Sequence, residues 1–184
     1  HLTLAVNVSA RQFRQADFVA EVRRVLLQTG AKPELLKLEL TESIVLENVE
    51  DAINKMHELK ALGVTCSLDD FGTGYSSLQY LKRLPIDQMK IDQTFVRDIA
   101  SDPNDATIVK TIIVMAKAMG LRVIAEGVEE DTQLSFLELC GCESFQGYLF
   151  SKPVPINQFE DFLRDGHRHT GYKENKILPS AALH

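Results

Sequence analysis

Val64-Thr65-Cys66-Ser67-Leu68-Asp69-Asp70-Phe71-Gly72 is the stretch from which the fold can be read. Val64 to Leu68 reads as a short buried strand, and two adjacent carboxylates follow it. In parallel α/β proteins the C-terminal ends of strands are where polar, reactive groups collect. Gly63, just before this stretch, stops a helix predicted from about Val49 to Leu62, with Ile53, Met56 and Leu59 facing inward.

The same alternation runs outward in both directions. Upstream, Leu2 to Val8 reads as a strand. A helix from about Ala10 to Thr29 follows, with Phe18, Val19, Val22, Val25 and Leu26 on one face and Gly30 as its stop. Leu36 to Leu40 is the next strand. Downstream come a short helix over Ser76 to Arg83, a strand over Gln88 to Ile91, and a helix over Asn104 to Met119. That helix carries Ile108, Val109, Ile112, Ile113, Ala116 and Met119 on one face. Arg122 to Ala125 is a strand, Thr132 to Cys140 a helix, Glu143 to Gly147 a strand and Ile156 to Arg164 a helix. From about Asp165 the pattern is lost, so residues 1–165 read as the domain and 166–184 as a C-terminal tail.

Strands alternating with helices in this way predict a parallel α/β sheet. An open doubly wound sheet and a (β/α) barrel both fit the spacing. Each strand, however, ends in a polar residue: Asn7, Glu39, Asp69 with Asp70, Lys90 with Asp92, Glu126, and Gln146. An open sheet concentrates its site at one switch point, whereas a barrel collects groups from every strand, so the distribution favours a barrel.

Composition bounds the function. The 184 residues suffice for one domain with a core, and 45% hydrophobic with 25% charged residues is ordinary for a globular protein. A net charge of −6 argues against a nucleic-acid polymer as partner. The three cysteines, Cys66, Cys140 and Cys142, lack zinc-site spacing, and their odd number fits a reducing cytoplasm. Cys140 and Cys142 read as core or loop residues. No apolar run approaches the roughly 20 residues that span a bilayer.

The strand-end residues are hard oxygen donors, which suit Mg²⁺ or Mn²⁺. Oxygen-rich sites for two such ions are suited to phosphodiester hydrolysis, with Lys90 as a point charge for a water or a phosphate oxygen. Each residue alone has a plainer reading: an acid after a strand is commonly a helix cap, and a lysine commonly lies on the surface. The conjunction points to a metal-dependent α/β enzyme. An enolase-like barrel that abstracts a proton is equally allowed on this basis.

Six strings then match one family in order and spacing. They are Asn7-Val8-Ser9, Glu39-Leu40-Thr41-Glu42-Ser43, Asp69 to Ser77, Lys90-Ile91-Asp92, Ala125-Glu126-Gly127-Val128-Glu129, and Gln146 to Pro153. Over about residues 2–165 the chain resembles EAL domains, which hydrolyse cyclic di-GMP to linear pGpG on a modified TIM barrel with Mg²⁺ or Mn²⁺. By this resemblance Asn7, Glu39 and Asp69 hold one metal, and Asp69, Asp70 and Glu126 hold a second. Lys90 holds the attacking water, Gln146 lies near water and substrate, and Glu129 is a second carboxylate near the site. Glu129 as a cap for the following helix is the alternative. The resemblance also implies that Asp70 to Ser77, with Phe71, Gly72, Thr73, Gly74, Tyr75 and Ser76, form a mobile loop coupling metal binding to dimerisation. Glu42 anchors that loop or, alternatively, simply starts a helix.

The Glu-Ala-Leu string that names the family does not occur here, and the resemblance implies that it lies upstream. Two further strands with their helices, and sensor or regulatory domains, are expected there as well. Cyclic di-GMP and a second copy of the chain are the implied partners. A catalytically silent cyclic di-GMP receptor or interaction module is the alternative to the hydrolase.

Overall fold

The computed structural model describes residues 2–72 and 78–165. Thr73, Gly74, Tyr75 and Ser76 of the expected loop, and the expected tail over 166–184, lie outside the described residues.

Six parallel strands form one sheet: β1 (Leu4–Asn7), β2 (Leu36–Thr41), β3 (Thr65–Phe71), β4 (Gln88–Ile91), β5 (Arg122–Ala125) and β6 (Ser144–Phe145). Their spatial order follows the chain, β1-β2-β3-β4-β5-β6, and every neighbouring pair is parallel. A doubly wound sheet would reverse its order at a switch point. An order without reversal places all crossover helices on one face and leaves the other face as the inside of a curled sheet. The sheet is half of a TIM-like barrel, as the polar strand ends predicted.

Alternation along the strands separates the two faces. On β2, Leu38 and Leu40 are buried toward the helices, and on β4 Met89 and Ile91 are fully buried there. Lys37, Glu39, Gln88 and Lys90, at the intervening positions, face the inside of the curl.

The helices that connect the strands are α1 (Ala10–Phe13), α2 (Phe18–Thr29), α3 (Glu42–Glu47), α4 (Val49–Ala61), α5 (Leu78–Leu81), α6 (Gln93–Arg97), α7 (Pro103–Ala118) and α8 (Asp131–Leu139). The longest, α7, buries Val109, Ile112, Ile113 and Ala116, whereas Ile108, expected on the same face, is 38% exposed. The final helix, α9 (Ile156–Asp165), belongs to a separate unit beginning at Phe150.

The single helix predicted over Ala10–Thr29 is two. Ser9 caps α1 in a capping box with Gln12. The chain breaks after Phe13 and restarts at Phe18, and both phenylalanines are buried in edge-to-face contact at 5.5 Å. Positions five apart lie about 140° apart on a continuous helix, so one straight helix could not bury both. Lys55, itself buried, reaches from α4 to donate to the Phe13 carbonyl at 2.7 Å, satisfying one orphan acceptor of α1.

Val25 also departs from expectation, being 45% exposed. It lines an apolar groove of about 630 Å³ beside the edge strand β1, together with Leu4, Val6, Val22 and Leu36.

Candidate functional site

Glu39 stands near the end of β2, Asp69 and Asp70 near the end of β3, Lys90 near the end of β4, and Glu126 directly after β5. Asn7 ends β1 in register with Glu39, and Gln146 follows β6. All therefore occupy the same end of the curled sheet.

Lys90 is the hub. Its Nζ lies 2.7 Å from Glu126 Oε1, 2.9 Å from Glu39 Oε2 and 3.1 Å from Asp69 Oδ2. It is 4% exposed, which rules out the surface-lysine reading. Burial disfavours its ammonium, but hydrogen bonds to Glu126 and Glu39, and the nearby charge of Asp69, outweigh that and hold its pKa above the ordinary lysine value. Lys90 is therefore a fixed cation at neutral pH.

Carboxylates of Asp69, Asp70 and Glu126 meet with oxygens within 4.8 Å of one another. Consecutive strand residues normally point to opposite faces. Here β3 slips register against β4 between Leu68 and Phe71, and Asp70 takes a left-handed backbone with φ 56°. This bulge turns Asp70 to the side already occupied by Asp69. Aspartate is among the few non-glycine residues that tolerate the conformation.

The electrostatics of the cluster suit a divalent cation. Burial first, then the charges of Asp69 and Asp92, raise the pKa of Asp70. Burial also raises that of Glu126 against the opposing effect of Lys90. Four carboxylates, Glu39, Asp69, Asp70 and Glu126, face one ammonium, an excess of negative charge that hard dications would neutralise. The donor set fits Mg²⁺ or Mn²⁺.

Neighbouring loops pack tightly around this end. Gly127 has φ 69°, and a Cβ there would fall 2.5 Å from that of Gln93. A Cβ on Gly147 would fall 2.0 Å from the Val128 carbonyl oxygen. The segments after β4, β5 and β6 are thus in near-backbone contact, which only glycine permits.

Glu42 begins α3 and is 4% exposed; its Oε2 accepts a hydrogen bond from Gly72 N at 3.3 Å. It thus starts a helix and contacts Gly72, two residues after Asp70. Phe71 ends β3 opposite Ile91 and is buried.

Glu129 is exposed and is not among the carboxylates gathered at Asp69, Asp70 and Glu126. Nor does it cap α8, since that place belongs to Glu130. Gln133, which the sequence reading missed, is buried and accepts from Glu129 N at 2.8 Å and Glu130 N at 3.0 Å while donating to Arg97 O at 3.1 Å. It ties the loop after β5 to the end of α6. Its sequence signal is a Glu-x-x-Gln spacing at a helix start, a variant of the capping box. Asp92, read from the sequence only as a strand-end polar residue beside Lys90, contributes in two ways. It caps α6 through Thr94 N and raises the pKa of Asp70.

Comparison with known proteins identifies the family. The EAL domain model matches residues 1–153. The cyclic di-GMP phosphodiesterase NbdA of Pseudomonas aeruginosa is 47% identical over 163 residues, 89% of this chain but 21% of that protein. A solved structure of the PaMucR phosphodiesterase in complex with cyclic di-GMP superposes with a TM-score of 0.83 at 44% identity, covering 85% of this chain and 64% of the other. A Klebsiella pneumoniae BlrP1 structure with manganese and cyclic di-GMP gives 0.76 at 33% identity, covering 83% and 39%. The chain belongs to the EAL domain family.

Proposed function

We propose that this chain is the larger part of a domain that hydrolyses cyclic di-GMP to linear pGpG with two Mg²⁺ or Mn²⁺ ions. The observation that carries the reading is the meeting of Asp69, Asp70 and Glu126 at the ends of parallel strands, with Asp69 and Glu126 both paired to the buried Lys90. The names of the similar proteins support it.

When bound, divalent ions lower the pKa of water and offset the charge of the phosphodiester. Asn7, Glu39 and Asp69 would hold one ion, and Asp69, Asp70 and Glu126 the other. Lys90, cationic throughout the neutral range, donates to the oxygen that attacks phosphorus and keeps it aimed. Gln146 orients water and substrate from the end of β6. Glu129 would supply a second carboxylate near the site. The water oxygen bonds to phosphorus, the P–O3′ bond breaks, and the 3′ oxygen takes up a proton. The product carries a 5′-phosphate and a free 3′-hydroxyl.

In this reading Glu42 anchors the loop from Phe71 to Ser76, and that loop couples ion binding to pairing of two copies of the domain. The domain works in the cytoplasm under upstream sensor domains, and a Glu-Ala-Leu glutamate upstream completes the ligand set. Among the described residues no helix is long and apolar enough to cross a membrane.

The test is chromatographic detection of pGpG from cyclic di-GMP with Mg²⁺ or Mn²⁺, using this chain and a version extended upstream through the Glu-Ala-Leu segment. Formation of pGpG by the extended protein supports the enzyme. Tight cyclic di-GMP binding with no product from the folded, metal-loaded extended protein would establish the receptor alternative instead.

A further inference from the structure

Two side-chain bridges cross the inside of the curled sheet, and the proposed reaction uses only one of them. Glu39 on β2 meets Lys90 on β4 at 2.9 Å. One layer lower, Lys37 Nζ donates to Gln88 Oε1 at 2.6 Å. Lys37 precedes Glu39 by two residues and Gln88 precedes Lys90 by two, so each pair lies on one face of its strand. Both bridges link the same strands, and in each the partners are 51 residues apart in the chain.

β2 and β4 are not neighbours, since β3 lies between them. The bridges therefore reach over β3, and the residue beneath is Ser67, in register with Glu39 on one side and Gln88 on the other. Ser67 is fully buried, and its hydroxyl donates to the Gln88 carbonyl at 3.5 Å. A serine leaves room for the crossing that a branched or aromatic residue would fill.

We propose that Lys37 and Gln88 are positioning residues, a strut that sets the separation of β2 and β4 and thereby the spacing of Glu39 and Lys90 above it. Lys37 bonds a neutral amide, so its contact does not neutralise an acid; it spans a distance. Backbone ladders fix β2 to β3 and β3 to β4, and the two bridges add side-chain constraints directly between β2 and β4. A lysine at this inward position reaches across to donate to Gln88, whereas a methionine of similar length has no donor to offer. This inference rests on the metal-centre reading of the acid cluster.

The test measures Mn²⁺ binding by calorimetry, without substrate, on the intact chain and on Lys37→Met, Lys37→Arg and Gln88→Met. Residues that orient metal ligands typically carry 10- to 100-fold in affinity, so about tenfold weaker binding is expected for the two methionine variants. Lys37→Arg, which can still reach Gln88, should recover most of it. Equal Mn²⁺ affinity in the intact chain and the folded methionine variants would overturn the inference alone.

Absence of Mn²⁺ binding by both the intact chain and the upstream-extended protein would strike the metal-centre reading instead. The strut is then decided by urea unfolding of Lys37→Met, Glu39→Gln and the double variant. Non-additive costs support coupling of the two bridges, and additive costs overturn it.

Discussion

Asp70 follows Asp69 with a left-handed backbone at φ 56°, and that one bulge brings two consecutive carboxylates to the same site. A regular strand would have sent one of them toward the helices. The arrangement holds like charges together in the metal-free protein, at a cost in stability that a bound dication would relieve.

Asp70→Asn separates charge from geometry, because asparagine also tolerates the left-handed region. The folded-state pKa of Asp70 is raised, first by burial and then by Asp69 and Asp92. Its favourable contribution is complete below the ordinary aspartate value near about pH 4 and is lost as pH rises through the folded-state value. The metal-free variant should therefore be more stable than the parent at pH 7, with the difference shrinking toward pH 4. Thermal melts across that range check this, and weaker Mn²⁺ binding by the same variant should accompany it.

Lys90→Met should be severe. The side chain of Lys90 is 5% exposed and those of its partners Glu39, Asp69 and Glu126 are 12%, 11% and 17% exposed. Removing one partner from a buried ionic cluster typically destabilises by about 3–5 kcal/mol. Urea unfolding in chelator should give a loss of that order, and added Mn²⁺ should return part of it.

Cys66 supplies a pH marker outside the strand-end acid cluster, with Asp87 accepting from its backbone N–H at 3.0 Å. Burial pushes its thiol up to about 12. A raised pKa contributes stability that is complete below the unfolded thiol value and falls as pH climbs through the folded one. Between about pH 9 and 12 the parent should lose stability relative to Cys66→Val by a slope approaching 1.4 kcal/mol per pH unit. Equal slopes in the two proteins would contradict the burial effect. Because the thiolate is the reactive form, Cys66 should also resist alkylation at pH 8 in the folded protein.

Ile113→Ala separates core from site. Ile113 on α7 is fully buried, and truncation should cost about 2–5 kcal/mol through the cavity it leaves. Mn²⁺ affinity of the folded variant, measured by calorimetry, should be unchanged.

Much of the architecture was legible because it depends on local pattern. β2, β4 and β5 fall where their apolar runs predict, and Ile53, Met56 and Leu59 are buried as the helical period requires. Helices α3 and α6 were missed because six and five residues are too few to display a period. The break between Phe13 and Phe18 was hidden because both residues are apolar, and only their shared burial shows the change of phase.

At the site, residue type and strand position were enough to nominate Glu39, Asp69, Lys90 and Glu126, which meet as one ionic cluster. The left-handed turn at Asp70 was not legible, since aspartate tolerates positive φ but adopts it in only a small minority of its occurrences. The Lys37–Gln88 bridge was equally hidden: it joins strands two places apart, and only the curvature of the sheet brings them within reach.

The most direct test of the account is cyclic di-GMP turnover across a Mn²⁺ titration, comparing the upstream-extended protein with its Asp69→Asn variant. The account predicts metal-dependent turnover in the parent and a loss of at least about a hundredfold in the variant, on the scale of removing one essential catalytic contact. Turnover by a folded Asp69→Asn protein at the parent's rate and the parent's Mn²⁺ requirement would contradict it.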